Sequence, residues 1–357
     1  MMVVPAATMR AILARARWAP SADNTQPWRF RILDENACHI DYQPQAGMGV
    51  FNLDHYTGHL ALGGLLETLK LAAGAEGFGT AVQIQSGPDC LGLDVQLIPG
   101  AGNSSPLEAV IENRSTQRRL MKTRPLPDET RRSIEADLPP GYRILWLGQP
   151  AERRRIATLL SRVGKVRLLM PETYEVHRDT VEWGARYSVD RIPSDAIGAD
   201  PLTRRIMAWA LRSPARVNRL NRMLGHWLPR LEMDYLPALA CGAHFFLVAD
   251  SAGDAPYVRL RHGAAMQRLW LSVTRHGLQF QPEMAALVFA RYLRAGTPFT
   301  EHRSMAGLMA ETADHFSRLL GDRDWRCTVF MGRVGYGSEI PARSLRHPLD
   351  SLLVSMQ

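Results

Sequence analysis

Residues 17–30 read RWAPSADNTQPWRF, small hydrogen-bonding side chains set between two prolines and two tryptophans. Pro20 and Pro27 fix φ and discourage helix. Ser21, Asp23 and Asn24 are turn formers whose side chains bond nearby backbone, which suits an ordinary helix-to-strand loop. Ser21, Asn24 and Gln26 also offer a hydroxyl and two amides, groups that match the edge of a planar heterocycle such as a flavin. A second run, ENRSTQRRLMKTRPLP (112–127), brings Arg114, Ser115, Thr116 and Arg118 close together. Guanidinium forks match phosphate oxygens and hydroxyls complete the shell, although a solvated basic loop ahead of a helix needs the same residues. A third run, GRVGYGSEIPARSLRHPLDSLL (332–353), supplies Arg343 and Arg346 as anion ligands or as tail charges. Its glycines do not lie between a strand and a helix of a βαβ unit, so a dinucleotide fingerprint is rejected.

Other chemistries fit less well. Ser21 has no GxSxG setting and no identifiable histidine partner for a hydrolase nucleophile. His39, His55, His59 and His262 show no metal-ligand spacing, and His55 with His59 reads as a structural pair on one helix face. No dedicated acid or base is visible.

These runs hang on alternating helices and strands. Met9, Ile12, Leu13 and Ala16 form a helical stripe before Pro20. RFRIL, CHIDYQ, AVQIQ, LDVQLI, YRILWLG, HFFLVAD and CTVFMG read as strands, with helices over about 56–74, near Asp128 to Ala136 and after HFFLVAD. That order predicts an α+β fold with a central sheet. GGLLETLKLAAGAEGF, from Gly63, can be laid on GAAMQRLWLSVTRHGL, from Gly263, so that Leu69 falls on Leu269, Leu71 on Leu271 and Gly77 on Gly277. Leucine-rich helices look alike by chance, yet the half-chain spacing points to internal duplication. From Tyr174 to Tyr235 the chain is rich in arginine and tryptophan and reads as a helical excursion, a candidate cover over a site.

The 357 residues, 46% hydrophobic and 22% charged, are enough for a large core and for two domains or one duplicated one. Cys38, Cys90, Cys241 and Cys327 are far apart and form no CxxC, which argues against a zinc ribbon or disulfide framework. The net charge is +8 and the pI near 9.6, but arginine is spread along the whole chain without a nucleic-acid motif. No apolar stretch is long enough to span a membrane and no signal peptide is read, so the expectation is a soluble cytoplasmic protein without nucleic-acid or membrane partners.

The three runs together resemble the nitroreductase superfamily of FMN enzymes. APSADNTQPW is similar to its APSxxNxQPW segment, RSTQRRLMKTRPLP to its RxSxRxFxxxPVP phosphate motif, and GRVGYG with RHPL to its C-terminal GYP…RxPL. In the ordinary family the arginine motif comes first in a short chain that dimerises. The reversed order here resembles the long-chain branch in which one polypeptide imitates both halves of the dimer. That branch includes lidded FMN-binding proteins and nitroreductase-like proteins labelled as molybdopterin biosynthesis factors.

The resemblance implies a nitroreductase-like α+β fold, a central mixed or antiparallel sheet flanked by helices, with a pseudo-two-fold. Residues 1–112 would be the first half, and 113–357 the second, with a lid-like helical insertion at about 174–235. It implies FMN held at the phosphate and ribityl by Arg114, Ser115, Thr116, Arg118, Arg343 and Arg346. Pro20, Ser21, Asn24 and Gln26 would lie toward the ring, with Pro282 and Glu283 of QPEM where the family presents backbone to flavin N5. Leu120 departs from the family's aromatic. The implied activity is hydride transfer from NADH or NADPH through FMN to a nitroaromatic, quinone or other small electrophile. The alternative is an FMN store under a lid, and the chain is expected as a monomer imitating a dimer or a homodimer of such chains. Trp183, Trp209 and Trp227 can stack on a flat ring and Arg186 and Arg191 could meet an anionic substrate, although for any one of them packing the excursion's own helices is the commoner role.

Overall fold

The computed structural model describes residues 6–44, 46–87, 91–223 and 227–354; Cys90 lies outside them. The first helix, Ala6–Ala16, buries Met9, Ile12, Leu13 and Ala16 along its predicted stripe. β1 (Trp28–Ile32) and β2 (Ala37–Tyr42) form a hairpin, followed by an early long helix (Tyr56–Ala75), β3 (Phe78–Ser86) and β4 (Leu91–Pro99). These strands make one antiparallel sheet in the order β1-β2-β4-β3.

After the helix Asp128–Ala136 come β5 (Tyr142–Leu147) and the helix Pro150–Leu169. The excursion follows, with the two-residue strands β6 (Val181–Glu182), β7 (Tyr187–Ser188) and β8 (Ile192–Pro193) and short helices including Pro201–Ala210 and Pro214–Met223. The chain returns through β9 (Ala243–Ala249), a late long helix (Pro256–Arg275), β10 (Gln279–Pro282), the helices Ala285–Ala295 and Arg303–Leu320, β11 (Thr328–Gly335) and β12 (Arg343–Ser344). The second antiparallel sheet runs β10-β11-β9-β5. Every residue of β9 and β11 is buried, as apolar runs in the middle of a covered sheet require.

The expected single central sheet is therefore corrected to two four-stranded sheets. The reason lies in the long helices. The early one is buried along nearly its whole length, so it needs cover on both faces: its own sheet on one, the late helix on the other. Their crossing is close because two glycines meet there. A Cβ on Gly63 would stand 2.0 Å from the Leu60-spaced carbonyl of the opposite helix, Leu260 O, and a Cβ on Gly263 would stand 2.2 Å from Leu60 O. Further along, Arg268 reaches Glu67 at 2.9 Å while Gln267 Nε2 donates to Thr68 Oγ1 at 2.9 Å. Position 60 meets 263 and 63 meets 260; 67 meets 268 and 68 meets 267. With the helix Pro150–Leu169, the excursion and the helices between β10 and β11 set aside, helix, two strands, long helix, two strands is the order on both sides of this crossing, and the two sheets arrange those strands alike.

The C-terminal stretch crosses back to the first sheet, where Leu353 bridges Phe30 and Val354 N–H donates to Phe30 O at 2.9 Å. Residues 113–122 cross the other way: Gln117 N–H donates to Phe280 O at 2.9 Å and Lys122 N–H to Tyr336 O at 2.7 Å. These two crossings carry the second and third sequence runs to the loop after the first helix. Cys38, Cys241 and Cys327 are buried and form no disulfide. Among the described residues no helix is long and apolar enough to cross a membrane.

Candidate functional site

The loop after the first helix is held in a conformation that few sequences adopt. Asp23, Asn24 and Gln26 all have positive φ, at 50°, 65° and 48°. Asp and Asn tolerate that region through local side-chain bonds. Gln26 is held there because its N–H donates to Ser21 Oγ at 2.9 Å. Backbone strain of this kind marks functional sites when the surroundings over-determine it.

The surroundings here are the other two runs. Pro20, Ser21, Asn24, Arg114, Ser115, Thr116, Arg118, Arg343 and Arg346 line one small cavity of about 60 Å³, with Trp270 of the late helix. Arg114 is 5% and Arg346 8% exposed. Arg114 lies over the Trp270 ring at 4.4 Å and donates to Trp18 O at 3.1 Å, and its Nε is buried without a partner. Arg346 donates to Ala19 O at 3.0 Å and Asn24 Oδ1 at 2.8 Å, and Arg343 donates to Glu112 O at 2.7 Å. All these acceptors are neutral. Burial, then repulsion from Arg346 and Arg343, pushes the Arg114 guanidinium well below its ordinary range, and burial with Arg343 and Arg17 lowers Arg346 to about 9. Among the described residues no carboxylate bonds Arg114, Arg343 or Arg346, and such a cluster of desolvated cations fits a ligand that brings the anion.

The amides differ from the expectation that they face a ring. Gln26 lines neither cavity: its Nε2 donates to Val189 O at 2.7 Å and Asn24 O at 3.0 Å, and its Oε1 accepts from His347 N–H at 2.9 Å. Asn24 lines the small cavity, yet its Nδ2 donates to Val189 O at 3.1 Å and its Oδ1 is taken by Arg346. Both amides rivet the excursion and the C-terminal arginine to the loop.

Through Pro20, Ser21, Asp23, Thr116, Arg118 and Trp270 the small cavity shares its wall with a larger one of about 470 Å³. Pro282 and Glu283 line the larger cavity. Glu283 N–H donates to Met331 O at 2.9 Å, so the sheet uses the N–H expected to face a ligand. The next residues, Met284 to Ala286, line the cavity at the start of the helix Ala285–Ala295, where first-turn N–H groups have no intrahelical acceptor. The Glu283 carboxylate sits between His244 Nδ1 at 2.9 Å and Arg333 Nη1 at 3.1 Å. Burial opposes a charge on His244, and the Glu283 charge and hydrogen bond outweigh it, raising the imidazole to about 10.

The excursion walls this larger cavity with aliphatic groups, among them Val176, Ile197, Met207, Leu211 and Leu220. The tryptophans that could have stacked on a ring there do not line it: Trp209 and Trp227 are 40% and 58% exposed, and Trp183 is half-buried elsewhere. Arg186 Nε donates to Pro341 O and Arg191 is exposed, so neither meets the cavity. The amphipathic helices turn their small and aliphatic residues inward and leave the large rings outside. Leu120 is 54% exposed.

Sequence reasoning missed Trp270, Arg167, His177, Asp234 and Arg333. Trp270 sits inside the late long helix and was legible only as helix; Arg333 stands in the third run as a strand residue, and Arg167, His177 and Asp234 belong to no motif.

With the geometry in place, the sequence comparison is specific. Residues 2–49 match the Nitroreductase family. The match covers the first helix, the strained loop and the first hairpin, and supports a place in the nitroreductase superfamily. The chain is also similar to "Uncharacterized protein MT1398" of Mycobacterium tuberculosis (strain CDC 1551 / Oshkosh), 24% identical over 299 residues, which is 80% of this chain. The aligned part spans 40% of that relative's length.

Proposed function

We propose that this chain binds FMN and acts as an FMN-dependent oxidoreductase that takes electrons from NADH or NADPH and delivers them to a small electrophile such as a nitroaromatic or quinone. The match at residues 2–49 supports an oxidoreductase role at the level of the family. The observation that carries the cofactor is the pair of buried guanidiniums at Arg114 and Arg346, with half-buried Arg343 beside them and only neutral acceptors, next to a cavity of about 470 Å³. Arg114, Arg343 and Arg346 would hold the phosphate, and Ser115, Thr116 and Arg118 the ribityl chain. Pro20 and Ser21 on one side and Pro282 to Ala285 on the other would flank the ring. Bound FMN supplies hydride acceptance and donation. The residues orient it, shield it from water and set access, and the buried Glu283–His244–Arg333 group holds the strand beneath it rigid.

The reciprocal helix crossing and the matched strand orders support reading 1–112 and 113–357 as two halves of an internal pseudo-dimer with one flavin site. The chain would then need no partner copy for that site, and a cytoplasmic setting fits it. A second reading is a flavin store, favoured by the excursion that walls the larger cavity. Anaerobic stopped-flow mixing of the FMN-loaded protein with NADH and NADPH separates them. Rapid bleaching of the flavin band supports the reductase; tight FMN binding without bleaching supports the store. Absence of FMN binding overturns both.

A further inference from the structure

The larger cavity has one polar corner that the flavin reading leaves unused. Arg167, on the helix Pro150–Leu169, lines it, as does His177 on the first short helix of the excursion, Tyr174–Thr180. Arg167 Nη2 meets Asp234 Oδ1 at 3.1 Å, and its Nε and Nη1 have no protein partner among the described residues. The His177 imidazole lies tilted near Phe51, with ring centroids 6.2 Å apart, and likewise has no hydrogen bond among the described residues. Asp234 is fixed in place because residue 164 is glycine: a Cβ there would stand 2.0 Å from Asp234 Oδ2. The turn carrying Asp234 is a π-helical stretch, Leu231–Tyr235, a geometry often found where function demands it. Around this corner the wall is apolar, with Val176, Met207 and Leu211.

We infer that Arg167 and His177 form a subsite for the carboxylate of a mostly apolar small acid. Among the described residues Arg167 keeps Nε and Nη1 as unpartnered donors on either side of the Nη2 that Asp234 holds, so one N–H of the fixed guanidinium can meet a carboxylate oxygen. His177 supplies one further donor. Burial and the nearby Arg167 charge lower its imidazole to about 3, so it is neutral with one N–H to give. Asp234 also lines the cavity with a buried Oδ2, unpartnered among the described residues, and burial raises its carboxyl against the pull of Arg167 and Arg230. Glu283 is taken by His244 and Arg333, and burial raises the Asp23 carboxyl against the pull of Arg118 and Arg167. The inference rests on the cavity being a ligand site, as proposed above, and names the class of ligand.

The test is calorimetric titration of the oxidised, FMN-loaded protein with 2-naphthoate, its neutral isostere 2-naphthamide and the cation 2-naphthylmethylamine, without reductant. The expected result is binding of the acid at least tenfold tighter than the amide, with the amine weakest. The double variant Arg167→Met/Asp234→Leu, which removes the pair without leaving a buried charge alone, should bind the acid only as well as the amide. His177→Gln, which keeps the ion pair, should cut the preference at least threefold. Equal binding of acid and amide, a preference for the amine, or full preference in either variant overturns the subsite. The flavin band in the same samples reports cofactor occupancy separately, so protein that lacks flavin but keeps the acid preference overturns the FMN reading and not this one.

Discussion

A guanidinium shut away from water with only carbonyls around it lowers the stability of the protein that carries it. Arg114 is such a group, and the proposed phosphate explains why it is kept. Arg114→Met should therefore move two quantities in opposite directions. FMN affinity should fall by about 2 kcal/mol, roughly thirtyfold, the size of a lost charge-assisted bond, while the melting temperature of FMN-free protein should rise. Fluorescence titration and thermal melts check the pair; a fall in both would make Arg114 a structural residue. Glu283 and His244 give a pH signature. The His244 imidazole is raised from 6.5 to about 10, so its contribution is complete below pH 6.5 and is lost as pH climbs toward 10. Glu283 is lowered below its ordinary range, with burial opposing and His244 and Arg333 prevailing, so its contribution is lost only as the solution turns acid. Melting temperature should decline between pH 7 and 10, and His244→Gln should flatten that decline relative to the wild type. The arginines and hydroxyls of this site were readable because phosphate chemistry fixes residue types at short spacing. The fate of Asn24 and Gln26 was not, because their partners, Val189 and His347, stand more than a hundred residues away in sequence.

Helices and strands were legible wherever one face is buried, since alternation and the three-to-four residue stripe then survive in the sequence. Met9 to Ala16, β1 and β2 are of this kind, while β9 was legible as a short run that is apolar apart from His244. The split into two sheets was not legible, because strand patterns carry no record of which edges pair. The two-residue strands β6, β7 and β8 have too little sequence to show a period; β6 pairs with β8 inside the excursion, while β7 is held from far away, Arg343 and Ser344 pairing with Tyr187 and Ser188. Two element-scale outcomes follow from the geometry. Gly63→Ala drives a methyl group into Leu260 O and should cost about 3 kcal/mol or more, or prevent folding. Gly307→Ala, on the exposed side of the helix Arg303–Leu320 with nothing within 4 Å of the new Cβ, should instead stabilise by roughly 0.5–1 kcal/mol. Denaturant melts of both variants compare a crowded glycine with an idle one. Replacing residues 201–223 by a glycine-serine linker removes Met207, Leu211 and Leu220 from the cavity wall and should speed dithionite reduction of bound flavin. If the still-yellow shortened protein is reduced no faster, the excursion does not limit access.

Over the whole molecule, the pseudo-dimer reading predicts one FMN per chain, because the runs that build the small cavity occur once. Titration to saturation should give one equivalent; two would place a second site across the helix crossing and undo the assignment. The small cavity also has a history written into it. Pro20, Arg114, Trp270 and Arg346 come from four separated stretches of a single chain, and Asn24 touches Arg346 across 322 positions. During synthesis the first hairpin and early helix leave the ribosome long before the last arginine has been joined to the chain. No growing polypeptide can hold the proposed cofactor, however much of it is already folded. Every newly made molecule must pass through a period in which its arginines repel one another with nothing between them, and the arrival of a dianion would be the final act of its maturation.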